Sequence, residues 1–383
     1  MSRRPGLLLI MIILMQSNLM SKSAFGMMTL SPSLAVSERY HSNVEASSTD
    51  EEASEDYETS INPQIALLNE WEGLSITGNY SLNSRLYAKD ADRNYVGHTF
   101  SLAMDKELTR NISMFFSDSY IYTKDSREAL ENQMELGRGT VITNSAALSL
   151  AYTISERASS GIGISQSTTL YDNEELFDDR TDGLSLTYSN RMSRYLTLDF
   201  SYAYTVFNYE NDSHVDDREI HNMSLGITRM LTRSLTFTLT AGVNYMPDME
   251  SDYDWTGNGG LSKSWRRTSL DLAYTRAVTN SGGLVAEVVI NDRGSLLWHI
   301  NRARTVTWSL EGSYSKSRSK DTDVIDNYSY SYGLNCSWQR GEWTMLNLGV
   351  TRFEQKTDDL LTREVESNAL FLSIAFTPEG WRL

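Results

Sequence analysis

An all-β chain closed as a single transmembrane antiparallel up-and-down β-barrel is predicted by three observations. Long stretches alternate apolar and polar side chains residue by residue, the connections between them alternate between short and long, and arginine-bearing short turns recur at a nearly constant interval. Composition sets the bounds. In 383 residues with a hydrophobic fraction of 40% and a mean hydropathy of -0.40, no run of about 18 apolar residues occurs beyond the N-terminus, so no helix can span a bilayer. The lone Cys336 excludes a disulfide framework and a zinc-finger spacing. A formal net charge of -16 argues against a nucleic-acid partner, because phosphate binding needs a basic surface.

The chain starts "MSRRPGLLLIMIILM", with Arg3 and Arg4 ahead of an apolar run from Leu7 to Met15 that is too short to span as a helix. This is the pattern of a secretory signal. Ala24 and Gly26 put small residues where a signal peptidase reads, so residues 1–26 are expected to be a signal peptide cleaved after Gly26. Residues 27–73 are expected to be an acidic, mostly disordered leader or a plug. Within them, residues 38–60 are acidic and Ser-rich and cannot repay the entropy of ordering, while "IALLNEW", residues 65–71, has room for a helical turn docked on or inside the barrel.

The barrel is placed at 74–383. In "LSITGNYSLNSRL", Leu74, Ile76, Tyr80, Leu82 and Leu86 share one parity. "YLTLDFSYAYTV" sets Leu196, Leu198, Phe200, Tyr202, Tyr204 and Val206 against Thr197, Asp199, Ser201, Ala203 and Thr205. "SLTFTLTAGVNY" sets Leu235, Phe237, Leu239, Ala241, Val243 and Tyr245 against Thr236, Thr238, Thr240, Gly242 and Asn244, and "TVTWSLEGSY" and "NYSYSYGLNCSW" repeat the pattern. Each is a ribbon with one greasy and one hydroxyl-lined surface, longer than the five or six residues usual in globular sheets. Between 278 and 303 the alternation weakens and the strand limits stay open.

The connections carry the more specific signal. Arg110, Arg157, Arg194, Arg233, Arg266, Arg302 and Arg340 sit in short turns spaced by 47, 37, 39, 33, 36 and 38 residues, so each unit is two long strands and two connections. The other class is longer and acidic, as in "DNEELFDDRTD" from 172 and "ENDSHVDDRE" from 210. Short turns on one rim and long polar loops on the other describe an outer-membrane barrel with periplasmic turns and extracellular loops. Counting the strands on both sides of each turn, plus the first and last, gives about 16, an even number that puts both termini on the short-turn side. Tyr122, Tyr171, Tyr209, Tyr245 and Trp255 near the loops, and Tyr195, Trp265, Trp338 and Trp343 near the turns, form two interfacial belts.

The apolar parity therefore faces lipid, with Leu198, Phe200, Phe237, Leu239, Val243 and Leu310 as its representatives, and the hydroxyl parity faces a lumen. The lumen-facing charges are few: Asp105, Asp199, Asp271 and Glu311. In a water-filled lumen they favour cations or neutral polar solutes, unless they pair with Arg85 or other lumenal groups. No connection is long enough to fold inward as a constriction loop, so either the bore is wide or residues 27–73 plug it.

The segment "NYVGHTFSLAMDKELTRNISMFFSDSYIYTKDSRE", 94–128, the recurring Thr-Arg turns and the ending "NALFLSIAFTP" resemble the β-barrel porin families of Gram-negative bacteria, one branch of which is associated with exopolysaccharide and PEP-CTERM protein-sorting systems. The resemblance implies an integral outer-membrane barrel in contact with lipid and lipopolysaccharide, with no catalytic residue or cofactor to carry over. The last strand resembles the C-terminal signal read by barrel-assembly machinery, with Phe376 as the terminal aromatic, although "TPEGWRL" follows it. A porin-like channel for passive diffusion of small polar solutes is the leading function, since barrels of this size enclose an aqueous channel. The alternatives are a component of exopolysaccharide export or assembly, with polysaccharide as the partner, and a non-conducting surface scaffold. An enzyme is not expected: His41, His98, His214, His221 and His299 fall into no nucleophile, base or metal spacing, and only His221 could meet Asp216 or Asp217 at a rim. The acidic loops lack the glycine and spacing of an EF-hand, which leaves a diffuse cation-attracting surface that divalent ions could bridge to lipopolysaccharide.

Overall fold

The computed structural model describes residues 27–44, 54–125, 138–173, 176–210, 217–247, 252–280, 288–320, 325–359 and 363–382. The expected signal peptide lies outside them. The strands are β1 (Met27–His41), β2 (Asp56–Trp71), β3 (Leu74–Tyr87), β4 (Tyr95–Thr109), β5 (Ile112–Asp125), β6 (Arg138–Ser155), β7 (Ala158–Tyr171), β8 (Asp178–Ser193) and β9 (Leu196–Glu210). They continue as β10 (Arg218–Thr232), β11 (Leu235–Tyr245), β12 (Tyr253–Ser264), β13 (Thr268–Asn280), β14 (Val288–Asn301), β15 (Val306–Ser319), β16 (Ile325–Arg340), β17 (Thr344–Asp359) and β18 (Arg363–Phe376). Each pairs antiparallel with the next, and β18 pairs back onto β1 from Leu34↔Phe376 to His41↔Ala369. The sheet closes and leaves no edge whose backbone groups would go unpaired.

The closed wall has 18 strands, not about 16. Everything from Leu74 onward supplies the strands β3 to β18, and the two extra, β1 and β2, come from residues assigned above to a leader. "IALLNEW" is accordingly part of β2 and extended, not helical. Proline and acidity obscured both strands. Pro32 and Pro63 carry no N–H for a ladder, and between β2 and β3 the pairing lapses at Pro63, passing from Ile61↔Ser84 to Gln64↔Ser81.

The connections segregate by rim. Residues 72–73, 110–111, 156–157, 194–195, 233–234, 265–267, 302–305 and 341–343 join strands at one end. Most connections at the other end are longer, such as 42–55, 88–94 and 126–137; 360–362 is the short exception. Gly73 and Gly341 take φ of 66° and 75° in two of the tight turns, a region that L side chains avoid. Met27 pairs with Glu70 and Phe376 with Thr344, so the chain enters and leaves the wall at the short-turn rim. The weakly patterned stretch resolves into the end of β13 at Asn280 and the start of β14 at Val288. Past Phe376 the chain folds along β1 as β19 (Trp381–Arg382), pairing with Thr29 and Leu30. Gly380 allows this approach: a Cβ there would lie 2.5 Å from the Ser31 hydroxyl oxygen.

Candidate functional site: the lumen and its mouth

Side-chain contacts identify the concave face. Phe207 and Tyr209 of β9 pack in one buried cluster with Ile220 of β10, Met246 after β11, and Val288 of β14. Phe207, Ile220 and Met246 are buried on the parity of Ser201, Ser224 and Asn244, whereas Phe200, Leu225 and Val243 on the other parity are exposed. The parity that carries Thr197, Asp199 and Ser201 is therefore the inner one, and that of Leu198 and Phe200 the outer.

The outer wall is apolar and open. Phe200, Leu239, Val243 and Leu310 are exposed on it, and Leu198 and Phe237 are partly exposed on the same face. Phe376 is exposed beside them, paired with Leu34 and Thr344, with the Trp343 ring edge-on at 6.2 Å.

The inner wall is rich in hydroxyls and amides. Over β7 and β8 it is flattened by glycine: a Cβ on Gly183 would meet the Ser165 hydroxyl at 2.5 Å. Asp105, Asp199, Asp271 and Glu311 all sit on inner parity toward the short-turn end, close to Thr109, Leu196, Thr268 and Val306 at the ends of their strands. Arg85 is not their partner. It lies at the opposite end of the lumen, 7% exposed, with Nη1 3.1 Å from Asp125 and 3.7 Å from Glu58, and its guanidinium stands 5.5 Å from the Tyr95 ring centre.

Near the long-connection rim the inner wall is buried in sector after sector, at Glu58, Arg85, Thr123, Val141, Asn291, Ser317, Asn327, Gln355 and Val365. Two clusters organise this mouth. On β1 to β5 an ionic one joins Arg85, Asp125 and Glu58 to His41, whose Nε2 is 3.4 Å from Glu58, and the Tyr87 hydroxyl donates to Glu58 at 3.1 Å. Mutual pairing is what makes burial of these charges tolerable. Across from it sits the apolar cluster of Phe207, Tyr209, Ile220, Met246 and Val288. No constriction loop was expected from connection lengths; among the described residues the buried groups at this rim belong to the strand ends and the residues next to them. A signal existed in "TVFNYE", where Phe207 and Tyr209 place aromatics on the hydroxyl parity.

His221 is on the outer face, where its Nδ1 lies 2.9 Å from the Tyr202 hydroxyl and its ring 4.9 Å from that of Tyr204. It does not meet Asp217, which faces the Asn208 amide; Asp216 lies outside the described residues. Among the described residues no three His, Cys, Asp or Glu side chains converge on a metal position.

No family model matches the chain, and no curated protein does. Solved structures match over nearly its whole length. OccK2 (OpdF) of Pseudomonas aeruginosa superposes with a TM-score of 0.52 at 10% identity, covering 93% of this chain and 100% of that one. The same protein in complex with glucuronate gives 0.51 at 11%, covering 92% and 99%, and OccAB4 of Acinetobacter baumannii gives 0.50 at 9%, covering 92% and 98%. These are Gram-negative outer-membrane channels, and at such identities the likeness is one of fold.

Proposed function

We propose that this chain is an integral outer-membrane channel through which small polar solutes, neutral or cationic, diffuse. The observation that carries the reading is the inversion of the wall: exposed leucine, valine and phenylalanine outside, and serine, threonine and asparagine inside, on a closed sheet whose channel-forming neighbours have the same fold. Lipid stabilises the first surface and water the second. The four carboxylates near the short-turn end give the lumen a negative local potential, which favours cations over anions. The short-turn rim is then periplasmic, with both ends of the wall on that side, and the acidic connections face outward into the lipopolysaccharide layer. Nothing in this reading calls for bond-making chemistry.

A second reading is favoured by the buried mouth. On this reading the ionic and apolar clusters obstruct the long-connection end, and the barrel conducts only when that end rearranges. Planar-bilayer recording of the refolded mature chain tests both. Stable steps at low voltage support the open channel; brief or voltage-induced steps support the gated one. Silence from protein shown to be folded by heat-modifiable gel mobility refutes diffusion altogether.

A further inference from the structure

The inner wall is not uniform. Beside the β1–β18 closure it bears a recess of about 460 Å³, within the size range of small-ligand pockets. None of its described lining residues is ionisable. Asn62, Gln64, Ser81, Asn83 and Thr99 are among its polar groups, and leucine, alanine and Ile121 side chains line the rest. It lies where Pro63, which has no N–H, interrupts β2 and the β2–β3 ladder lapses between Ile61↔Ser84 and Gln64↔Ser81.

The hydrogen bonds within the recess leave a defined remainder. The Gln64 Nε2 group donates to Asn79 Oδ1 at 2.6 Å, and the Ser60 hydroxyl lies 3.2 Å from both Asn62 Oδ1 and Asn83 Oδ1. The single Ser60 O–H serves one of these asparagine oxygens at a time, which leaves the NH2 groups of Asn62 and Asn83 as donors and Gln64 Oε1 as an acceptor beside the hydroxyls of Ser81 and Thr99. Donors and acceptors on adjacent strands stand about 5 Å apart. That spacing suits a ring with a hydroxyl on each carbon, whose alternate oxygens lie about as far apart and each give and take a hydrogen bond. An anion would lack a cation among the lining residues, and a cation would lack a carboxylate.

We infer that the recess formed by Asn62, Gln64 and Asn83 where Pro63 breaks the β2–β3 ladder is a binding subsite for a neutral polyhydroxylated solute of the saccharide class. It rests on the channel reading and gives that channel a preferred passenger. The test records single-channel current of the full refolded chain with added raffinose, a neutral trisaccharide, beside polyethylene glycol of the same size. Raffinose is expected to interrupt the current in a concentration-dependent way and polyethylene glycol is not. The double variant Asn62→Ala with Asn83→Ala should weaken the block about tenfold, as two lost hydrogen bonds imply, and leave the ionic conductance in place. Equal block by both solutes, or unchanged block in the variant, overturns the subsite while the channel stands. If folded wild-type protein carries no current, the channel reading fails. Calorimetric titration of raffinose into the detergent-folded barrel then decides the subsite alone: heat lost in the double variant upholds it, and no heat in wild type removes it.

Discussion

Substituting arginine at two adjacent positions of β11 separates the two faces of the wall. Leu239 is the fifth residue of Leu235–Tyr245, near the strand's middle, 45% exposed on the outer parity, with Ile227 and Gly259 as its cross-strand partners. Thr238 is next to it on the inner parity, paired with Thr228 and Gly260. If the outer face meets hydrocarbon, Leu239→Arg should cost about 2–4 kcal/mol, a 30- to 700-fold drop in the folded-to-unfolded ratio. In Thr238→Arg the guanidinium enters water, and the cost should stay below about 1 kcal/mol. Urea unfolding from large unilamellar vesicles, followed by tryptophan fluorescence and checked by heat-modifiable gel mobility, reads both. Equal midpoints for the two variants would refute the assignment of faces.

Removing residues 27–71 takes away β1 and β2 and leaves β3 and β18 with open edges; the truncated chain should give no heat-modifiable band, and a folded, conducting product would mean that closure does not run through β1. Replacing Asp105, Asp199 and Asp271 with Asn and Glu311 with Gln should move the cation-to-anion permeability ratio toward unity, read as a shift in reversal potential under a salt gradient; an unmoved potential would assign selectivity to other charges. Phe207→Ala should loosen the apolar half of the mouth and raise open probability or conductance in bilayer recordings, and a trace identical to wild type would show that this cluster does not obstruct the path.

How much of this was legible in the sequence depends on whether a residue's role is set locally. The parity of Leu196 to Val206 or Leu235 to Tyr245 is read one residue at a time, because each side chain of a strand answers to the solvent on its own side. The short Arg turns are equally local, and from Leu74 onward they yield the right strands. The mouth was not legible, because its apolar cluster draws residues from β9, β10, the end of β11 and β14, and no interval in the sequence encodes the curvature that gathers them. The fate of Arg85 was missed for the same reason. Its partners Glu58 and Asp125 stand on β2 and β5, and their convergence depends on the register of the intervening strands.

Pro63 joins the two kinds of illegibility. By composition it disqualifies its segment as a central strand, since a ladder residue without an N–H is a defect. In the folded wall that defect is accommodated: β2 pairs with β1 through Leu34↔Pro63 and parts from β3 only there, while Ile61 and Gln64 resume the register on either side. A lapse in an otherwise continuous barrel wall gives side chains room to turn toward one another, and Asn62 and Asn83 do so through Ser60. The residue that hides β2 from a periodicity argument is thus the one that makes the inner surface of β2 chemically distinct. Pro63→Val tests the link. It restores a donor, should extend the β2–β3 ladder and raise stability, and should narrow the recess and weaken saccharide block; a variant more stable than wild type with full block would separate the proline from the site.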